Sequence, residues 1–441
     1  MVELVTSWLA ARGDRQRWLT LVTTLVVLGA GVRLIYLAAL DGFWSNSFDQ
    51  PIGEYTNPAF LEAQSLLNGS ISLPQRVHDT AMFNDLARNV FQPGQTLFFL
   101  VHLGLGGVAA LAGFKLEIVA IALLSAVLLN FALLRLSRFD PLISVGVTVS
   151  MMLGAPYLAS FPKALNGSIY RANHCFSILL LTAFLALLSL KPNLWRWLGM
   201  GACIGGAMLF RAQYILLLPL PLLLLLQSPD GQRWRITSAL TDAATQRKLC
   251  QRLVLLGLGP ALALLIILGF QTARFHNPFE NGYMLAYEGR SGYIADRAHE
   301  HGLLSFHFLP ENLYRTLWAA PEIEINGWRV QQISGDERGN SLIFSQPILL
   351  MLPLLWRSWR TAKGQAWLLT SLLLALPVLL YHNPGVYAPG YMRLSLDYAF
   401  LWAATLAVCI QMDPASRPVR WLVLPGMLWA LGYAELLLRT L

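Results

Sequence analysis

Carboxylates crowd one stretch of an otherwise apolar chain. The segment "FDQPIGEYTNPAFLEAQSLLNGSISLP" (residues 48–74) holds Asp49, Glu54 and Glu62; Asp41 precedes it, and Asp79 and Asp85 follow. A carboxylate held at the depth of lipid headgroups is partly desolvated, which raises its pKa toward that of a useful general base. Cations stand farther along, at Lys163, Arg171, Arg211 and Arg393. Arg211 sits in the middle of the apolar run "LGMGACIGGAMLFRAQYILLLPLPLLLLL" (residues 198–226), and an arginine inside a membrane is costly and usually functional. A base that takes a proton from an acceptor hydroxyl, and a cation that holds a phosphate as negative charge grows on it, suit group transfer from a lipid-linked phosphate. Each group also has a structural reading. The acids would merely obey the positive-inside bias. Arg211 would bond backbone carbonyls or snorkel. Arg393 would pair with Asp397 one helical turn on, and Lys163 and Arg171 would touch headgroups.

The elements that position these residues are membrane spans. Of 441 residues, 56% are hydrophobic and 13% charged, where a soluble domain is nearer a quarter charged. Mean hydropathy is +0.52. Several stretches of about 20 apolar residues are long enough to cross a ~30 Å hydrocarbon core. The first is too long for a signal-peptide core and is read as a retained span. The net charge of +8 comes from bases gathered at span ends rather than in a stripe with aromatics, so it points to membrane orientation and not to nucleic acid. The four cysteines, Cys175, Cys203, Cys250 and Cys409, form no CxxC pair and signal neither a disulfide framework nor zinc.

Arg12, Arg15 and Arg17 place the N-terminus in the cytoplasm. Spans are then expected at 18–40, 115–134, 142–159, 174–190, 253–272, 344–355, 366–381, 394–411 and 422–438. Residues 198–226 have bases on both flanks and are expected to turn back near Arg211 as a broken hairpin. This gives about 11 crossings in a single all-α integral membrane domain. Residues 41–93 and 274–343 form two external loops, and 95–112 a tilted or lipid-dipping helix at the outer surface. Asn57 is a good N-cap, Pro58 suits a first helical turn, and Asn68-Gly69 a stop, so an amphipathic helix is expected on the outer membrane surface. "GMGACIGG" lacks the preceding strand of a dinucleotide loop and reads as helix packing. His299-Glu300-His301 lacks metal spacing and reads as exposed loop.

In order and topology the chain resembles the GT-C superfamily of polytopic glycosyltransferases, which includes the protein O-mannosyltransferases and the aminoarabinose transferase for lipid A. The resemblance is carried by Ala63, Leu66, Leu67, Gly69 and Pro74, then Phe91, Pro93 and Gly94. Further along it is carried by "GGAMLFRAQYILLLPLPLLL", "ARFHNPFENGY", "GNSLIFSQPILL" and "GYMRLSLDYAFLW". It implies a GT-C-like bundle and transfer of a sugar from a polyprenyl-phosphate donor, with inversion. The acceptor would be a glycan, lipid or protein at the outer face of a bacterial cytoplasmic membrane. The family's base is an Asp in the first external loop. An ungapped count back from Gly69 lands on Glu54, and a small shift reaches Asp49. Arg211, Arg393, Tyr55, Asp79, Lys163 and Arg171 are the implied substrate-binding residues. The family's acidic pair is absent, so no metal and no cofactor is signalled. Two rivals remain at this point. An oligosaccharide ligase or polymerase would use a diphosphate-linked donor and depend on external Arg and His. A lipid-linked sugar flippase or transporter would show inverted repeats and midplane polar sites, and no repeat is visible.

Overall fold

A computed structural model describes residues 14–40, 42, 57–228, 230–235, 242–327, 329–334, 340–385, 391–412 and 414–440. Asp41, Asp49, Glu54 and Tyr55 lie outside the described residues.

The described chain opens with helix α1 (Asp14–Leu40). The first loop holds α2 (Pro58–Leu67) and the hairpin β1–β2 (Thr80–Phe83, Leu86–Asn89). Then come α3 (Gly94–Gly106), α4 (Phe114–Leu136), α5 (Pro141–Leu153), α6 (Ala155–Leu165), α7 (Ile169–Leu188), α8 (Leu194–Phe210) and α9 (Pro219–Leu225). A long α10 (Ala243–Phe275) leads to a second layer made of α11 (Tyr283–Tyr287), α12 (Tyr293–His301), α13 (Leu309–Leu317) and the hairpin β3–β4 (Glu322–Asn326, Arg329–Ser334). After these come α14 (Leu342–Ser345), a 3-10 helix (Pro347–Leu355), α15 (Ala362–Leu379), α16 (Ala399–Met412) and α17 (Val423–Thr440).

Among the described residues, seven helices are long and apolar enough to cross a membrane, or eight if α5 and α6, bent by 48° at Gly154, make one span. Such a set makes the chain a multi-pass membrane protein. The expected count of about 11 included segments that are shorter. Residues 344–355 form only α14 and a 3-10 helix, because Pro347 and Pro353 interrupt any longer α-helix. Helix α16 has 14 residues. Helix α3 with its 3-10 extension, Gly94–Leu111, meets the length and hydropathy of a span.

The all-α expectation misses two hairpins. In the first, Thr80 pairs with Asn89 and Phe83 with Leu86. Asn84 and Asp85 at its tip both have positive φ, 50° and 61°, the backbone of a two-residue turn that matches strand twist. His299-Glu300-His301 ends helix α12 and is not loop.

Helix α2 starts and stops where its caps predict. Asn57 Oδ1 accepts from the backbone N–H groups of Ala59 and Phe60 at 2.9 and 3.2 Å, and Asn68 is the C-cap. It does not lie on a surface, however. Pro58 through Ala63 are all buried, Glu62 among them, because the polar side of the helix faces protein partners instead of water.

Helix α8 lies between α7 and α10. A Cβ on Gly201 would stand 2.4 Å from the Leu256 carbonyl oxygen, and one on Gly205 2.3 Å from that of Gly259. The backbones of α8 and α10 therefore touch, the close approach that small residues permit between membrane helices. Both ends of residues 194–226 return to one side of the bundle. Arg135, at the end of α4, donates from Nε to the Ser189 carbonyl just past α7 at 2.9 Å. On the return, the Lys363 N–H donates to the Gly231 carbonyl at 3.0 Å, and Lys363 is in electrostatic reach of Arg138 beyond α4.

Candidate functional site

Arg211 stands where α8 breaks. Phe210 closes the helix with its ring stacked on Phe176, centroids 4.8 Å apart and planes at 8°. Arg211 is extended (φ −147°, ψ 97°), and a 3-10 helix, Ala212–Leu217, follows. Gly94 makes room for this break. A Cβ there would meet the Leu209 carbonyl oxygen and the Phe210 ring at 2.7 Å, so the "PG" at the head of α3 is a packing requirement of the Arg211 corner.

The Arg211 guanidinium is paired with Asp397, 186 positions away. The other Asp397 oxygen, Oδ1, lies 3.1 Å from His174 Nδ1. Asp397 and His174 are fully buried or nearly so. Arg393 does not pair with Asp397, although the two are four apart. Residues 393–397 form a 3-10 helix, and at three residues per turn positions i and i+4 point apart. Arg393 instead lies over the Tyr170 ring, 5.3 Å from its centroid. Arg171 Nη2 donates to the Tyr391 hydroxyl at 3.5 Å, and Arg171 is buried, so it is no headgroup contact. Lys163, exposed on α6, is in electrostatic reach of Arg171, Arg393 and Tyr391, as Arg393 is of Arg171 and Arg211. Arg211 and Arg393 thus stand as two guanidiniums beside the carboxylate Asp397, which is paired with Arg211.

Tyr283 and Tyr381 wall this basic floor. Tyr381 is in electrostatic reach of Arg211, Arg393 and Asp397 on one side and of Asp79 on the other; Tyr283 is likewise shared by Arg211 and Asp79. Asp79 has a left-handed backbone, φ 55°, at the foot of the β1–β2 hairpin. Its Oδ2 lies 2.9 Å from His78 Nδ1 and its Oδ1 3.3 Å from Arg290 Nη1. Electrostatic contacts therefore link Arg211, Arg393, Arg171 and Lys163 directly, and Asp79 through Tyr283 and Tyr381. His174, Tyr283 and Tyr381 join them without having been singled out as site residues. Among the described residues no group of three His, Cys, Asp or Glu side chains could hold a metal.

The first loop is anchored to the helices by a buried polar network. Glu62 is clamped side-on by Arg274, and it also accepts from Thr96 Oγ1 at 2.6 Å and Asn89 Nδ2 at 2.9 Å. Arg274 Nη1 donates to the Phe91 carbonyl at 2.7 Å. Asn57 Nδ2 donates to Gln95 Oε1 and to the Gly167 carbonyl, and Gln95 Nε2 to Asn173 Oδ1. Buried polar groups so completely paired fix a unique arrangement. In the segment after α10, Glu311 accepts from Tyr293 and Arg315 at 2.7 and 3.0 Å and is paired with Arg297. Burial opposes its charge, but these donors outweigh it and hold the carboxyl down to about 2. His382 is buried beside Tyr287, its Nε2 3.0 Å from the hydroxyl. Burial pushes its pKa down to about 4 against the Leu303 carbonyl, with Arg297 adding to the depression.

No family model matches the chain, and no curated protein matches it. Among solved structures, the apo crystal structure of the Archaeoglobus fulgidus oligosaccharyltransferase is 13% identical, with a TM-score of 0.49 over 96% of this chain and 57% of that one. The oligosaccharyltransferase AglB of the same archaeon, in complex with an inhibitory peptide and a dolichol-phosphate, is 12% identical, with a TM-score of 0.45 over 96% and 56%. The chain spans little more than half the length of either, and a likeness this slight assigns it no family and no activity.

Proposed function

We propose that the chain is a GT-C-type glycosyltransferase that moves a sugar from a polyprenyl-phosphate donor to an acceptor at the outer face of the membrane, with inversion. The observation that carries this reading is the gathering of the Arg211 and Arg393 guanidiniums within electrostatic reach of each other, with Asp397 paired to Arg211. Two such cations beside one carboxylate are stabilised by a further anion, and the apolar spans around them suit the lipid tail of that anion. As the bond between the sugar's anomeric carbon and the phosphate oxygen breaks, that oxygen gains charge, and guanidiniums already in place stabilise it. The acceptor oxygen bonds to the anomeric carbon from the opposite face and loses its proton to a carboxylate of the first loop, Glu54 or Asp49. Asp79 and Tyr55 are the polar contacts for the sugars. A bacterial cytoplasmic membrane with both large loops outside fits the distribution of bases.

The test is transfer from a radiolabelled polyprenyl-phosphate sugar in proteoliposomes. Arg211→Lys keeps the charge but not the fork and is expected to retain part of the rate, whereas Arg211→Ala is expected to lose at least ~10²-fold. Normal turnover by the folded alanine variant would overturn the assignment.

A further inference from the structure

We propose that His174 is a phosphate-binding residue of this site, donating from Nε2 as an imidazolium, with Asp397 holding the ring in place. The proposal rests on the phosphate reading above. His174 is 1% exposed, its Nδ1 lies 3.1 Å from Asp397 Oδ1, and neither ring nitrogen makes an aligned hydrogen bond. Arg393 Nε and the Tyr214 hydroxyl are likewise buried without a hydrogen-bond partner. Buried polar atoms normally have partners, and orphans that cluster around an excess of cations mark a place for an anion with several acceptor oxygens.

The groups facing the ring come from several elements. Asp397 and Arg393 belong to the 3-10 turn before α16, and Arg211 to the end of α8. Tyr214, from the 3-10 turn after Arg211, lies beside Asp397, and Arg171 is one turn earlier on α7 itself. With Nδ1–H directed at Asp397, a neutral ring presents a lone pair at Nε2, which repels a phosphate oxygen. Protonation converts that lone pair to a donor. Arg211 and Arg393 stand near the ring, and an anion bound among them offsets their charge and makes room for a third cation. Phosphate binding is therefore coupled to uptake of one proton from solvent at His174.

The experiment titrates the full chain in nanodiscs with farnesyl phosphate between pH 6.5 and 8.5. Affinity of the unmodified protein is expected to fall with rising pH, by up to about tenfold per unit. His174→Asn keeps an amide where Nδ1 meets Asp397 but has nothing at Nε2; it is expected to bind about tenfold more weakly at pH 6.5 and to lose the protein's share of the pH dependence. His174→Gln places an amide donor near Nε2 and is expected to recover part of the affinity without the pH dependence. The probe's own second ionisation, near pH 6, is common to all three. Calorimetry of the unmodified protein in two buffers of different ionisation enthalpy reads proton uptake directly and needs no variant. Binding without proton uptake, or with the pH profile unchanged in the asparagine variant, overturns the role of His174. Absence of farnesyl phosphate binding at every pH overturns the phosphate site itself.

Discussion

Glu62 and Arg274 face each other side-on in the protein interior, Arg274 Nε and Nη2 each 2.6 Å from a carboxylate oxygen, and neither side chain reaches solvent. The pair ties α2 of the first loop to the end of α10, where the second loop begins. Removing one partner strands a buried charge. Arg274→Met is expected to cost about 3–5 kcal/mol, and Glu62→Leu combined with Arg274→Met to restore much of it, since an apolar pair of similar volume is often neutral. Thermal unfolding in detergent reads both; a double variant no more stable than Arg274→Met would show that the charges do more than satisfy each other.

The first-loop acids make a separate prediction. Glu54→Gln or Asp49→Asn keeps size and hydrogen bonding but cannot accept a proton. One of the two is expected to lower the transfer rate by at least ~10² while donor binding persists. Wild-type rates in both would reduce these acids to a topology signal and move the search for a base to Asp79, which faces the arginine floor across Tyr283 and Tyr381.

Gly205 is expected to tolerate no side chain. Even the methyl of Gly205→Ala would press within 2.3 Å of the Gly259 carbonyl, so α8 must shift and carry Arg211 with it. A drop in transfer rate larger than the drop in melting temperature explains is the expected result; unchanged activity in Gly205→Leu would mean that α8 has slack the packing does not suggest.

Acid should weaken the structure around Glu311 and His382. His382 has its folded pKa below the unfolded 6.5, at about 4, so its contribution is complete above pH 6.5 and lost as the pH falls toward 4. Glu311, depressed from 4.5 to about 2, contributes fully above 4.5 and loses that as the pH falls toward 2. Between pH 7 and 4 the histidine dominates, with about 3 kcal/mol at most. His382→Gln is expected to flatten the fall of melting temperature over that window, and an unchanged slope would exclude it.

The local signals were legible, and the distant pairings were not. Asn57, Pro58 and Asn68 announce α2 because caps act within a turn. Arg211 was visible as a charge in the middle of an apolar run. The burial of α2 was not, because Glu62 is satisfied by Arg274, 212 positions on, and no periodicity records a partner at that distance. The same holds for Asp397, whose apparent neighbour at four residues lost to Arg211 and His174 once the backbone tightened to a 3-10 turn. The Asn84-Asp85 turn is legible in its two turn-forming residues, whose tolerance of a left-handed backbone is a local property.

The contact of Gly205 with Gly259 gives α10 a fulcrum. The helix has 33 residues with Pro260 inside it, and at 1.5 Å per residue it is ~50 Å long, well beyond a ~30 Å hydrocarbon core. Arg274 lies roughly 15 residues past the glycine, ~22 Å along the axis, so a tilt of about 5° would carry it ~2 Å, enough to part it from Glu62. The Glu62–Arg274 pair is thereby the place where any rocking of α10 about the glycine contact would be felt first.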